Sequence, residues 1–153
     1  MIMKPSYPLS LYFTYGEAVA SQTAARMGID NEPRDKRILD NILATASRMD
    51  NVRSLLGVPV IVTSWYRCPE LNLAIGSKPT SQHSQGVAVD FVAPRYGTPR
   101  EIVTRVRDEH VLYDQVILEY PDSPSGGWVH ISFTATPRLQ ALVIDRAGTV
   151  AFA

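Results

Sequence analysis

The sequence predicts an α+β protein, with N-terminal helices packed against an antiparallel sheet formed late in the chain. Three observations carry this reading. Ile38, Ile42, Ala46, Met49, Val52 and Leu56 recur at steps of three and four, the spacing of one helical face. Short β-branched or apolar runs follow at 87–92, 116–120 and 128–133. The stretches PDSPSGG (121–127) and Asp145–Gly148 are turn-forming and join neighbouring runs as hairpins.

Taken in order, residues 1–13 read as an extended arm punctuated by Pro5 and Pro8. Thr14 and Glu17 have capping-box spacing, so each side chain meets the other's orphan backbone donor, and a short helix runs to about Met27 before Gly28. The helix over roughly Asp35–Leu56 carries the apolar stripe; Gly57 is its C-cap and Pro59 prevents continuation. Val60–Ser64 is β-branched and almost wholly apolar, the pattern of a buried strand. Pro69 opens a short helix ending at Gly76, because its missing N–H costs nothing in a first turn. The polar stretch GSKPTSQHSQG puts His83 on a loop or strand edge facing solvent or a cleft.

In the next strand, Val87–Val92, Asp90 shares a face with small Ala88, which leaves room for an ion. Thr98, Pro99 and Glu101 form a second capping box, opening a helix to about His110. Val116–Tyr120 and Trp128–Phe133 are expected to be antiparallel neighbours, with Trp128, His130 and Ser132 on one face. Pairing about the loop midpoint brings Glu119 near His130, and a slip of one residue turns it away. Leu139–Ile144 and Thr149–Phe152 form a last hairpin.

A chain of 153 residues suits one domain over 1–153 with a proper core. Hydrophobic content of 45% and charged content of 20% argue against disorder. Fifteen basic residues balance fifteen acidic ones, so no overall field attracts nucleic acid or an anionic membrane. The single cysteine, Cys68, excludes an intrachain disulfide and a cysteine-rich zinc site. No apolar run approaches the ~20 residues needed to cross a bilayer, and MIMKPSYPLSLYF has no signal-peptide core. The expectation is synthesis in the cytoplasm, with action there, at a cell wall after release, or in a virion. Nothing in the pattern specifies an oligomeric state.

The chemistry gathers around SQHSQGVAVD (81–90), where His83 precedes Asp90 by seven residues. Both types ligate zinc, and a catalytic zinc takes three protein ligands and a water. His130, in GGWVHIS, is the third candidate, since His110 lies in the charged stretch RVRDEH. On these residues alone a bland reading stands beside the metal: a hydrogen-bonded core histidine, and an aspartate that faces water.

Three motifs in order carry a resemblance. They are Ser64-x-Tyr66-Arg67-x-Pro69-x-x-Asn72, Ser81-x-His83-x-x-Gly86-x-Ala88-x-Asp90-Phe91, and Trp128-Val129-His130-Ile131-Ser132. Together they resemble the zinc D-Ala-D-Ala carboxypeptidase and murein peptidase family, which includes vancomycin-resistance dipeptidases and phage endolysins. The compact form with a WVHIS-type end is similar to the phage or prophage branch, and the similarity runs from about Phe13 to the last hairpin. The resemblance implies one zinc ion on His83, Asp90 and His130, a peptidoglycan peptide as substrate, and Arg67 near the scissile carbonyl. Ser81, Tyr66 and Trp128 would line the substrate site; otherwise Ser81 shapes the loop, the two aromatics pack in the core, and Arg67 makes a structural ion pair.

One position departs from the family. Its better-known members carry a catalytic acid three residues before the last zinc histidine, where this chain has Gly127. Glu119 is then the candidate base, with Asp122 in the flexible connection behind it; the other use of Glu119 is to hold the ring N–H of His130. Gly127 also leaves an alternative open, a catalytically inactive metal-binding phage protein of structural or wall-binding kind. A further alternative is a zinc hydrolase acting on another amide or ester.

Overall fold

The computed structural model describes residues 3–153; the first two residues of the expected arm lie outside the described residues. Contacts group the chain into two compact units. One contains the chain up to Asp50 together with Ser64–Val89, the other Asn51–Thr63 together with Asp90–Ala153.

In the first unit, the arm is tied down by Asp50, whose carboxylate accepts from the Ser10 hydroxyl and from the Leu11 and Tyr12 amides. The Thr14–Glu17 capping box forms and opens α1 (Tyr15–Val19). The single helix expected to Met27 is instead two. Ala20 turns extended, and Ser21 caps a new helix, α2 (Gln22–Met27), by accepting from the Ala24 amide. A serine can leave a helix to become the cap of the next, and its side-chain oxygen compensates the broken ladder. Then comes α3 (Lys36–Leu56), whose six stripe residues are all buried. The five larger side chains each contribute about 1.5–3 kcal/mol of apolar burial, and the Ala46 methyl less. In this unit the stripe meets the short 3-10 turn Gln82–Gln85: an added Cβ at Gly86 would lie 2.8 Å from Ile42 and 3.3 Å from the Ile38 carbonyl. Asn41 and Arg37 also donate to Gln85, so the turn carrying His83 is seated on α3. Cys68 caps α4 (Pro69–Ala74), its sulfur accepting from the Leu71 amide.

The strands are β1 (Ile61–Ser64), β2 (Ala88–Val92), β3 (Gln115–Glu119), β4 (Trp128–Ser132), β5 (Gln140–Asp145) and β6 (Gly148–Ala151). Their order in one sheet is β1-β2-β4-β3-β5-β6. β1 is an edge strand, with Ile61 52% exposed, and not the buried strand its apolar sequence implied. Apolar composition reports compatibility with a sheet; the position in the order decides whether a face is covered. α5 (Pro99–Asp108), opened by the second capping box, packs on β3 and β4.

The sheet is also not wholly antiparallel. β3 pairs antiparallel with β4, and β5 with β6, but β5 runs parallel to β3. The hairpin brings the chain back beside the start of β3, and residues 133–139 carry it past that end to the other side, where Gln140 faces Gln115. Buried Asp114 anchors this crossover: its carboxylate accepts from the Arg138 amide, Nε and Nη2. Among the described residues, no helix is long and apolar enough to cross a membrane.

Asp114→Ala is expected to destabilise the protein, because it removes the buried acceptor that holds the Arg138 amide, while the exposed guanidinium turns to water. Urea unfolding with an unchanged midpoint would contradict this account of the crossover.

Candidate metal centre

His83, Asp90 and His130 each offer one ligand atom, and these atoms lie within 4.8 Å of one another. The three residues are 2%, 8% and 8% exposed, so the carboxylate of Asp90 is largely buried and needs a positive or donating partner.

Strand geometry supplies one. His130 Nδ1 lies 3.0 Å from Asp90 Oδ1. Two ligand atoms about 2.0–2.1 Å from a tetrahedral zinc sit about 3.3 Å apart, so this contact has the spacing a shared ion demands. His83 is prepared differently. Its Nδ1 is 2.6 Å from the Trp65 carbonyl, which can only accept, so Nδ1 carries the proton and the Nε2 lone pair is left for a metal. Of the two settings expected for His83, solvent or a cleft, its buried 3-10 turn excludes solvent. Two imidazoles and one carboxylate, gathered this closely and one of them already oriented, fit a zinc ion. His110 is exposed beyond α5 and plays no part.

The register of the hairpin settles where Glu119 falls. Ile117 faces His130 and Glu119 faces Trp128, so Glu119 is diagonal to His130 on the same face. Its Oε1 is 3.7 Å from His130 Nδ1, beside the ligand set and outside direct hydrogen-bond range for that pair of atoms. Asp122 instead lies in the connecting loop, on the wall of a cavity of about 780 Å³ that also includes Tyr120 and Trp128. The Tyr120 and Trp128 rings sit 5.4 Å apart at a 32° tilt.

The remaining expected residues cluster around His83. The Arg67 amide donates to the His83 carbonyl. Ser81 accepts from the His83 amide and so caps the turn, a loop-shaping use. Tyr66 lines a cavity of about 730 Å³ together with Cys68, Asn72 and Ser84. Burial first, then the nearby Cys68 and Asp35, push the Tyr66 phenol up, so it stays protonated near neutrality and able to donate. Sequence reading missed Trp65 and Asn31, which bind this segment through backbone groups. Asparagine at 31 sits in a polar turn, IDNEPRD, where any polar residue looks ordinary.

A family model described as Peptidase M15 matches residues 11–132. The chain belongs to the Peptidase M15 family. The match spans all three ligating residues, so membership and geometry together support a zinc metallopeptidase. No curated protein matches the chain.

The structure also accounts for Gly127, where this M15 chain lacks an acid. Gly127 has φ +80, and a Cβ there would lie 2.2 Å from the Glu119 carbonyl oxygen and 2.7 Å from that of Tyr120. Any side chain collides with the backbone of the preceding strand. Gly126, at φ +83, has nothing within 4 Å of its own Cβ position. Gly126→Ala is therefore expected to cost only the left-handed strain of about 1–2 kcal/mol. Gly127→Ala should cost distinctly more, because the clash adds to the same strain. Equal stabilities for the two variants in denaturant would refute the close approach.

Zinc should raise the melting temperature, since binding to the folded state alone adds about 4 kcal/mol at a thousandfold excess over Kd. Asp90→Ala should abolish the shift. A zinc-induced shift that survives in Asp90→Ala would remove Asp90 from the ligand set.

Proposed function

We propose that this M15 protein is a zinc-dependent peptidase of peptidoglycan, cleaving a stem or cross-link peptide bond, with Glu119 as general base. The observation that carries this reading is the carboxylate of Glu119 held 3.7 Å from His130 Nδ1, on the same sheet face as a ligand set of two histidines and one aspartate. The family match spans both compact units, and we take residues 1–153 as one peptidase domain.

His83, Asp90 and His130 would hold a zinc ion, which when bound would supply a Lewis acid and lower the pKa of a water toward ~7. Glu119 takes a proton from the attacking water and returns it to the departing amine, so one carboxylate serves both halves of the reaction. Arg67 hydrogen-bonds the oxyanion as it develops on the carbonyl, a task suited to a fixed guanidinium. Tyr66 and Trp128, each on a cavity wall, make contacts along the peptide, and the Tyr66 phenol is available as a donor. The D-amino-acid peptide, the phage or prophage origin and action at a cell wall after release rest on the motif resemblance.

Gly127 is the feature that favoured an inactive metal-binding protein. The exclusion of every side chain at that position, with a carboxylate nearby on β3, favours a relocated base instead.

Purified zinc-loaded protein, offered D-Ala-D-Ala, L-Ala-D-Glu and cross-link peptides, should cleave one class. Glu119→Gln should lower turnover by about 10²–10⁴-fold with zinc retained. Near wild-type turnover in that variant defeats the base assignment, and bound zinc with no hydrolysis of any peptide supports the inactive alternative.

A further inference from the structure

The segment Trp65–Cys68 lies between β1 and α4, outside any regular ladder, yet its backbone is held at almost every polar group. The Tyr66 amide donates to the Ala18 carbonyl, and the Trp65 carbonyl accepts from His83 Nδ1. The Arg67 amide donates to the His83 carbonyl. Two further groups, one on each side of Arg67, both go to one side chain. Asn31 Nδ2 donates to the Tyr66 carbonyl at 2.9 Å, and Asn31 Oδ1 accepts from the Cys68 amide at 2.7 Å. Asn31 Nδ2 also donates to the Val19 carbonyl at 2.9 Å, and the residue is 8% exposed. The loop that presents it is itself braced: the Tyr15 hydroxyl donates to the Glu32 carboxylate, and the Glu32 amide donates to Asp30.

The geometry points to Asn31 as a positioning residue that fixes both peptide planes around Arg67 and, through the shared backbone, the orientation of the His83 imidazole. This deepens the proposed function and rests on its reading of Arg67 and His83. Only a carboxamide meets all three bonds. It offers two donors to two carbonyls and an acceptor to an amide, whereas a carboxylate turns its donors into lone pairs facing carbonyl oxygens. Loosening the planes frees the φ and ψ of Arg67, and a guanidinium that stabilises an oxyanion loses its effect with a displacement of about 1 Å. The same loosening shifts the Trp65 carbonyl that sets the His83 tautomer.

The test is a double-mutant cycle in the full-length, zinc-loaded protein. Asn31→Asp keeps the side-chain shape and the acceptor for Cys68. It should lower kcat/KM by about 10–100-fold, the range seen when a partner behind a metal ligand is removed. The Asn31→Asp loss should shrink clearly in an Arg67→Ala background, leaving only the part that acts through His83, because an absent guanidinium cannot be misplaced further. Zinc affinity, read by competition with a chromophoric chelator, should fall by about 10-fold. Losses that add in the cycle overturn the positioning of Arg67. If Asn31→Asp does not fold, Asn31→Ser, which keeps a hydroxyl for one of the three bonds, is read in the same way. A wild type that cleaves no wall peptide defeats the proposed function. The zinc measurement then still decides this inference, and wild-type affinity in folded Asn31→Asp overturns it.

Discussion

Asp90 keeps an ionisable carboxylate almost wholly out of water, 3.0 Å from His130 on the neighbouring strand, and this contact sets the terms for the site. A buried charge is tolerated only where something nearby compensates it, and the cost of failing to do so is several kcal/mol. An imidazole meets part of that demand. A divalent cation held by both groups and by His83 would meet it fully.

The candidate ligands and Glu119 are held by two kinds of constraint. Asp90, His130 and Glu119 stand on β2, β4 and β3, so ladder register and strand alternation determine their places. His83 and Arg67 lie on irregular chain, where no ladder does this. Discrete bonds replace it: Gln85 and Gly86 seat the turn on α3, the Trp65 carbonyl orients the ring, and Asn31 spans the peptides around Arg67. A site on rigid strands needs few supporting side chains, and one on a loop needs several.

Gly127 joins these two themes. The loop 120–127 returns so tightly that the backbone of Glu119 and Tyr120 fills the volume a Cβ would occupy. The position from which better-known relatives present their acid is thereby closed, and the nearest carboxylate on the hairpin is the one at the end of β3. One turn closes position 127 to any side chain, and the register of the same hairpin sets Glu119 opposite Trp128.

Much was legible in the chain itself. Both capping boxes, the stripe of α3, the proline start of α4 and the β3–β4 hairpin are local patterns whose physics acts within a few residues, and all of them form. The three metal-site candidates were also visible, because histidines are scarce and strand alternation places Asp90 and His130 on definite faces. Tertiary structure decided the rest. It split the first helix at Ser21, put β1 at an edge, sent β5 parallel to β3, and buried His83 in a turn against α3. It also gave Asn31, inconspicuous in a polar turn, three backbone partners from two distant segments. Local sequence determines what each segment can be; which backbone groups it leaves for a remote side chain to satisfy is known only once the segments meet.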